Sequence, residues 1–255
     1  IESKGGDEIG QLMNGFNQMM GEINTLIKEK YEYGQQIKGL ELKALQAQIN
    51  PHFLYNSLDL INCIAIQNEV PEIIVMVNSL AKFYKLSLSR GNDVISLRDE
   101  FMHSRLYIQI QNMRFENCIQ TKWEIDETLL DFGVIKIILQ PIIENAIIHG
   151  IFERQDKVGT LWISCIKEDK DIFIRVADNG VGMDAETIRN NFTPGPPGSV
   201  TETRGGYGIR NIQDRLRLIY GESYGLSCQS TLGKGTVVTV RIPAVVLEHK
   251  IEKEK

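Results

Sequence analysis

The sequence predicts an α+β protein, with a helical, dimeric coiled-coil N-terminal region followed by a compact domain whose helices cover one face of a mostly antiparallel sheet. Three observations carry this. Apolar residues recur at helical spacing through the first part of the chain, alternating strand-like segments appear only after Cys118, and those segments are interleaved with two strongly periodic helices.

The helical part begins with Ile9, Leu12, Phe16, Met19, Ile23, Leu26, Tyr33, Ile37, Leu40, Ala44 and Ala47, a series interrupted only at Lys30. Alternating steps of three and four residues describe a coiled-coil seam, which predicts a homodimer. Gly34 and Gly39 each weaken that helix by about 1 kcal/mol relative to Ala, so the segment between them is a candidate joint. Pro51 then removes an N–H from the helix ladder and biases Asn50 away from helical geometry. One form of the restart has Asn50 as N-cap and Pro51 at the first helical position, which places His52 near the positive end of a helix dipole. A further helix is expected over 71–89, and Ser96 with Asp99 reads as a capping box opening a helix to about Asn117.

Beyond Cys118, "IQTKWEI" alternates as a strand and residues 129–151 read as one strongly apolar helix. "TLWISCIKE" and "DIFIRVAD" are strands separated by a short charged turn. A helix over 206–220 and a final hairpin of "YGLSCQST" and "GTVVTVRIP" complete the domain. Residues 193–206, rich in Gly, Pro and Thr, read as a mobile lid or loop. The expected organisation is a coiled-coil linker at 1–40, a helical dimerisation region at 41–117, a catalytic domain at 118–246 and a charged tail at 247–255.

Charge and cysteines bound the function. With 28 basic against 33 acidic residues the formal net charge is -5, so no global positive field attracts nucleic acid or an anionic bilayer, and any phosphate site is local. Cys63, Cys118, Cys165 and Cys228 form no CxxC pair and read as buried thiols in a reducing compartment. No run of 18 apolar residues offers a membrane-spanning helix. The chain opens on Ile1 rather than Met, its first thirty residues read as the middle of something, and it is expected to be a fragment of a longer protein.

Four motifs carry chemistry: "ENAIIHG" with Asn145, "DNGVGM" at 178–183, "GGYGIRN" at 205–211 and "GKGT" at 233–236. A carboxylate at a strand end, Asp178, can accept from an adenine amino group. Gly180 and Gly182 permit a close backbone approach to a flat ring. Gly205, Gly206 and Gly208 expose N–H groups at a helix start to phosphate. Asn145 offers an oxygen to Mg²⁺, and Thr236 ends the set. Taken singly, Asp178-Asn179-Gly180 reads equally well as a plain turn, and Asn145 as a helix residue satisfied by backbone.

The order of these motifs resembles the Bergerat-type ATP-binding domain, an α/β sandwich shared by gyrase, Hsp90, histidine kinases and MutL (GHKL). "LQAQINPHFLYNSL" and "LQPIIENAIIHG" resemble the LytS- and YesM-like sensor histidine kinases, and residues 7–20 resemble the second helix of a HAMP linker. The resemblance implies ATP and Mg²⁺ as cofactors, with Asn145, Asp178, Gly180, Gly182, Gly206, Gly208 and Thr236 around the nucleotide, and His52 as phosphoacceptor. It further implies onward transfer to an aspartate of a response regulator receiver domain, in the cytoplasmic portion of a membrane sensor. Two departures matter. Phe53 follows His52 where the larger class has an acidic residue, leaving Glu144 as a candidate proton acceptor; Ile148 stands where the subfamily often has Lys, leaving the phosphate to Arg204, Arg210 or Lys234. His103, His149 and His249 lack the context of His52, although His149 could equally touch a phosphate or cap its helix. The rivals are an ATPase or serine kinase of the same fold, disfavoured by Pro141 where a water-activating carboxylate would sit, and a silent dimeric scaffold.

Overall fold

The computed structural model describes residues 16–20, 51–88, 93–192 and 206–247. The chain divides into two compact units, 1–57 and 58–255. In the first, residues 16–20 are helical and expose Phe16, Met19 and Met20. The rest of the heptad series, Gly34, Gly39 and Asn50 lie outside the described residues, as do 193–205 of the expected lid.

Helix α1 (Pro51–Gln67) opens on the proline, and α2 (Pro71–Ser87) likewise has Pro at its start, where the missing N–H costs nothing. Helix α3 (Leu97–Arg114) begins as its sequence requires: Ser96 Oγ accepts from the Asp99 backbone N–H at 3.1 Å and donates to the Asp99 carboxylate at 2.9 Å. It stops at Arg114, short of the expected Asn117, because Glu116 and Asn117 turn to positive φ.

Five strands form the main sheet, β2 (Ile119–Ile125), β4 (Gly159–Glu168), β5 (Asp171–Asp178), β6 (Gly225–Thr231) and β7 (Gly235–Pro243), in the order β2-β4-β5-β7-β6. Only β2 and β4 run parallel, so the sheet is mostly antiparallel as expected. Period-two alternation sends Leu161, Ile163 and Cys165 of β4, Ile172, Ile174 and Val176 of β5, and Val238, Val240 and Ile242 of β7 into the core. They meet Leu139, Ile142 and Ile143 of α4 (Leu139–Asn145) and Ile209, Ile212 and Leu216 of α6 (Gly206–Tyr220), the helix that follows the short α5 (Ala185–Phe192). Each such side chain, fully buried, contributes about 1.5–3 kcal/mol before entropy is subtracted. Helix α3 shares this core through Leu97, Phe101, Tyr107 and Ile108, although it lies before the boundary at 118 read from sequence.

The single apolar helix expected over 129–151 is not what forms. Glu127–Leu129 is a 3₁₀ turn and Gly133–Ile135 is strand β3, paired antiparallel with β1 (Val94–Ser96). Helix α4 begins only at Leu139 and passes into a π-helical turn, Ala146–Ile151. A short apolar run has no periodicity that separates strand from helix; here a partner far along the chain decides it. The buried-thiol expectation also needs correction: Cys165 is buried, but Cys63 is exposed on α1, and all four thiols are free.

Candidate functional site

Helices α4, α5 and α6, the π-helical turn and strands β5 and β7 meet at a cavity of about 250 Å³, and its lining includes Asn145, His149, Asp178, Gly182, Ile209 and Thr236. The sequence motifs that stood far apart therefore share one wall. Asn145 closes α4 where the helix widens, with the Phe152 N–H bonded to the Ile147 carbonyl five residues back. Turns of this kind recur at functional sites because they reaim side chains without ending a helix.

Asp178 ends β5 and is 8% exposed. One oxygen, Oδ1, accepts from the Gly180 N–H at 2.7 Å. Burial pushes its pKa up to about 6, against hydrogen bonds from the Gly180 and Thr236 backbone that pull it down. It is thus a preorganised acceptor held in a nearly dry wall. Asn179, beside it, accepts from Thr160 N–H at 2.8 Å through Oδ1, and its carbonyl accepts from Arg154 Nη1 at 2.7 Å, which fixes the turn.

The glycines of this turn serve the protein's own packing. A Cβ on Gly180 would lie closer than 3.0 Å to the backbone of Gly150, and Gly182, at φ 69°, would press one on the Thr231 carbonyl. The close approach expected of them toward a flat ring is taken up by neighbouring backbone; Gly182 still lines the cavity. Gly180→Ala is therefore expected to part the 178–183 turn from the end of the π-helical turn and weaken nucleotide binding at least tenfold, measured by titration with an ATP analogue.

Two residues not singled out from the sequence hold the lining segments in place from outside the cavity. Ser230 Oγ accepts from Met183 N–H at 2.8 Å, donates to the Gly235 carbonyl at 3.0 Å and lies 2.8 Å from Thr236 Oγ1, tying the glycine turn to the last hairpin. Glu100 of α3, fully buried, accepts from the N–H groups of Ile137, Ile138 and Leu139, each at 2.8 Å, and so anchors the start of the helix that ends in Asn145. Burial pushes the Glu100 pKa up, opposed by those three donors and by Arg215.

The remaining expected site residues are placed as follows. Gly206 and Gly208 open α6, and the position of Gly208 leaves only 3.3 Å between a Cβ there and Pro141 of α4. Glu144 is not among the residues that line the cavity; its charge acts on Tyr107, whose hydroxyl burial first and then Glu144 push up to about 12. His52 lies in the first turn of α1 as described, exposed, with its Nδ1 3.2 Å from the Asn56 amide. Arg204 and Gly205 lie outside the described residues. Among the described residues no group of three or more His, Cys, Asp or Glu could hold a metal, so a cation here would rest on Asn145 and on ligand oxygens.

Comparison with known proteins agrees with this architecture. Residues 40–119 match the family described as histidine kinase, and residues 132–246 match the histidine kinase-, DNA gyrase B- and HSP90-like ATPase family. The chain is 38% identical to the sensor histidine kinase YesM of Bacillus subtilis, over 93% of this chain and 39% of that protein. It is 30% identical to the sensor histidine kinase BtsS of Escherichia coli, over 91% of this chain and 40% of that protein. The chain thus spans about two fifths of the length of the curated relatives it matches. Among solved structures, the histidine kinase domain of the Erythrobacter litoralis EL346 blue-light activated histidine kinase aligns with a TM-score of 0.46 at 16% identity, covering 76% of this chain and 94% of that one. Both matched segments and both relatives point the same way: the chain belongs to the sensor histidine kinases of the LytS/YesM-like type.

Proposed function

We propose that this chain binds Mg·ATP in the cavity between α4, β5, β7 and α6 and transfers the γ-phosphoryl group to His52, from which it passes to an aspartate of a response regulator. The observation that supports this most directly is the convergence of Asp178, Asn145 and Thr236 on one cavity in a chain that also carries an exposed histidine at the start of a helix. Asp178 accepts from the adenine amino group, while N–H groups at the start of α6 face the phosphates. Asn145 holds one position of the magnesium ion, whose remaining positions go to phosphate oxygens and water. The metal supplies charge neutralisation; the residues supply placement, which phosphoryl transfer chiefly needs.

Hydrolysis of ATP by water is the weaker reading, because Pro141 packs against α6 where a carboxylate would have to stand. Homodimerisation is supported by the apolar residues that α1 leaves uncovered, Phe53 at 72%, Leu60 at 62% and Ile64 at 51% exposed. A location on the cytoplasmic side, below a membrane sensor, fits this reading.

The test is incubation with γ-labelled ATP and Mg²⁺ beside His52→Gln. Acid-labile, base-stable label on the parent and none on the variant is the expected result. Label on both would remove His52 from the reaction; label on neither, with nucleotide bound, would favour a silent scaffold.

A further inference from the structure

Helix α1 carries, one turn beyond His52, a side chain whose amide nitrogen, Nδ2, lies 3.2 Å from the histidine's Nδ1, that of Asn56. Both residues are exposed. The neighbouring hydroxyl, Ser57 Oγ, is directed elsewhere and donates to the Phe53 carbonyl at 2.8 Å. No acidic residue follows His52, since position 53 is Phe.

An amide has two unlike ends, a nitrogen that only donates and an oxygen that only accepts. A neutral imidazole has one protonated and one lone-pair nitrogen, and the hydrogen bond made by one decides the state of the other. The two ends of an amide are equal in size, so a half-turn about χ2 exchanges them in place. With the nitrogen toward Nδ1, the arrangement found here, the ring proton sits on Nε2 and that atom has no lone pair to give, a resting state. With the carbonyl toward Nδ1, the proton sits on Nδ1 and Nε2 is a nucleophile.

We propose that Asn56 is the positioning residue of the phosphoacceptor: its amide selects the tautomer of His52 and thereby decides whether Nε2 can take a phosphoryl group. This rests on His52 being the acceptor. In the transfer, the Nε2–P bond forms and the bond from the γ-phosphorus to the bridging oxygen breaks, its electron pair leaving with ADP. The Nδ1 proton stays on the ring, which becomes cationic. The Asn56 carbonyl then accepts from a charged donor, so its hydrogen bond is stronger at the transition state than before it. No base is needed within that step, which removes the requirement for an acidic neighbour or for Glu144.

The experiment combines ¹⁵N-histidine NMR of the parent chain, Asn56→Ala and Asn56→Asp with autophosphorylation kinetics of the same proteins. A carboxylate only accepts, so Asp keeps the proton on Nδ1 and serves as the conservative rescue. Expected in Asn56→Ala are His52 ring-nitrogen shifts moved toward the Nε2–H tautomer and a kcat lowered about 10- to 100-fold, with KM for ATP within about twofold of the parent. Asn56→Asp, which can only accept, is expected to raise the Nδ1–H signature to or above the parent's level and to keep kcat within about fivefold of the parent. Unchanged His52 shifts in Asn56→Ala, an unchanged kcat, or a loss confined to KM would each overturn the proposal. If His52→Gln still takes label, the acceptor reading itself falls; if it does not and Asn56→Ala keeps the parent's kcat, only the role of Asn56 falls.

Discussion

Glu100→Ala is expected to lower the unfolding free energy of the ATP-binding unit by about 3–5 kcal/mol, the cost of leaving three backbone donors without their acceptor. The carboxylate is wholly buried and accepts from three successive backbone N–H groups, those of Ile137, Ile138 and Leu139. Removing it leaves three donors without their acceptor, those of Ile138 and Leu139 buried, and each unsatisfied buried donor costs about 1–3 kcal/mol. Ile137 adds to this. Its φ of 61° is a conformation that a β-branched residue adopts only when its surroundings impose it, and Glu100 is the group that does so. Arg215 steadies the same turn by donating to the Lys136 carbonyl at 3.0 Å. Glu100→Gln should lose roughly half as much, because its oxygen still serves Ile138 and Leu139 while its NH₂ confronts Ile137. Urea unfolding monitored by circular dichroism measures both. A loss below about 1 kcal/mol in the alanine variant would mean that the 137–139 turn finds other acceptors.

The contrast between Glu100 and Asp178 shows what was legible in the sequence. Asp178 stands where a period-two strand gives way to Asn-Gly, so both its element and its position at a strand end can be read locally. The start of α6 at Gly206 and the hairpin of β6 and β7 were readable for the same reason, with glycines marking the change of period. Glu100 carries no such mark. An acid in the first turn of a helix is favoured by the helix dipole alone, and its real partners lie 37 to 39 residues later. Strand β3 was illegible for a related reason: its three residues are buried and apolar, and only pairing with Val94–Ser96 distinguishes them from the helix that follows. Gly180 was found, but the neighbour that demands it, Gly150, belongs to a different motif, and only the folded chain brings the two together.

Asp178→Asn is expected to weaken nucleotide binding by at least about 100-fold while making the folded protein more stable at pH 7.5. The carboxylate accepts from the Gly180 N–H on Oδ1 and from the Thr236 backbone as well, and its remaining lone pairs are what the adenine amino group would use in the proposed complex. In the variant the amide oxygen takes the Gly180 side and the NH₂ faces the adenine amino group, donor against donor; a site built around one hydrogen bond discriminates strongly against its loss. Stability moves the other way because burial raises this group's pKa from 3.8 to about 6. The folded state therefore holds the proton more tightly than the unfolded chain does. Stability at this site falls as pH rises from about 4 to about 6 and is flat above, with about 3 kcal/mol forfeited once the carboxylate is ionised. The uncharged Asn avoids that cost, so a gain of about 1–3 kcal/mol is expected in denaturant unfolding at pH 7.5, and none at pH 4. Binding has its own pH signature. Only the ionised acid accepts on both oxygens, so affinity for an ATP analogue should fall about tenfold from pH 7 to pH 5 in the parent, and not in the variant. A parent whose affinity is constant over that range would show that Asp178 stays ionised throughout. Should the variant bind as tightly as the parent, Asp178 would not be the adenine acceptor. If both pH effects appear, one buried carboxylate sets the fold's stability against its function.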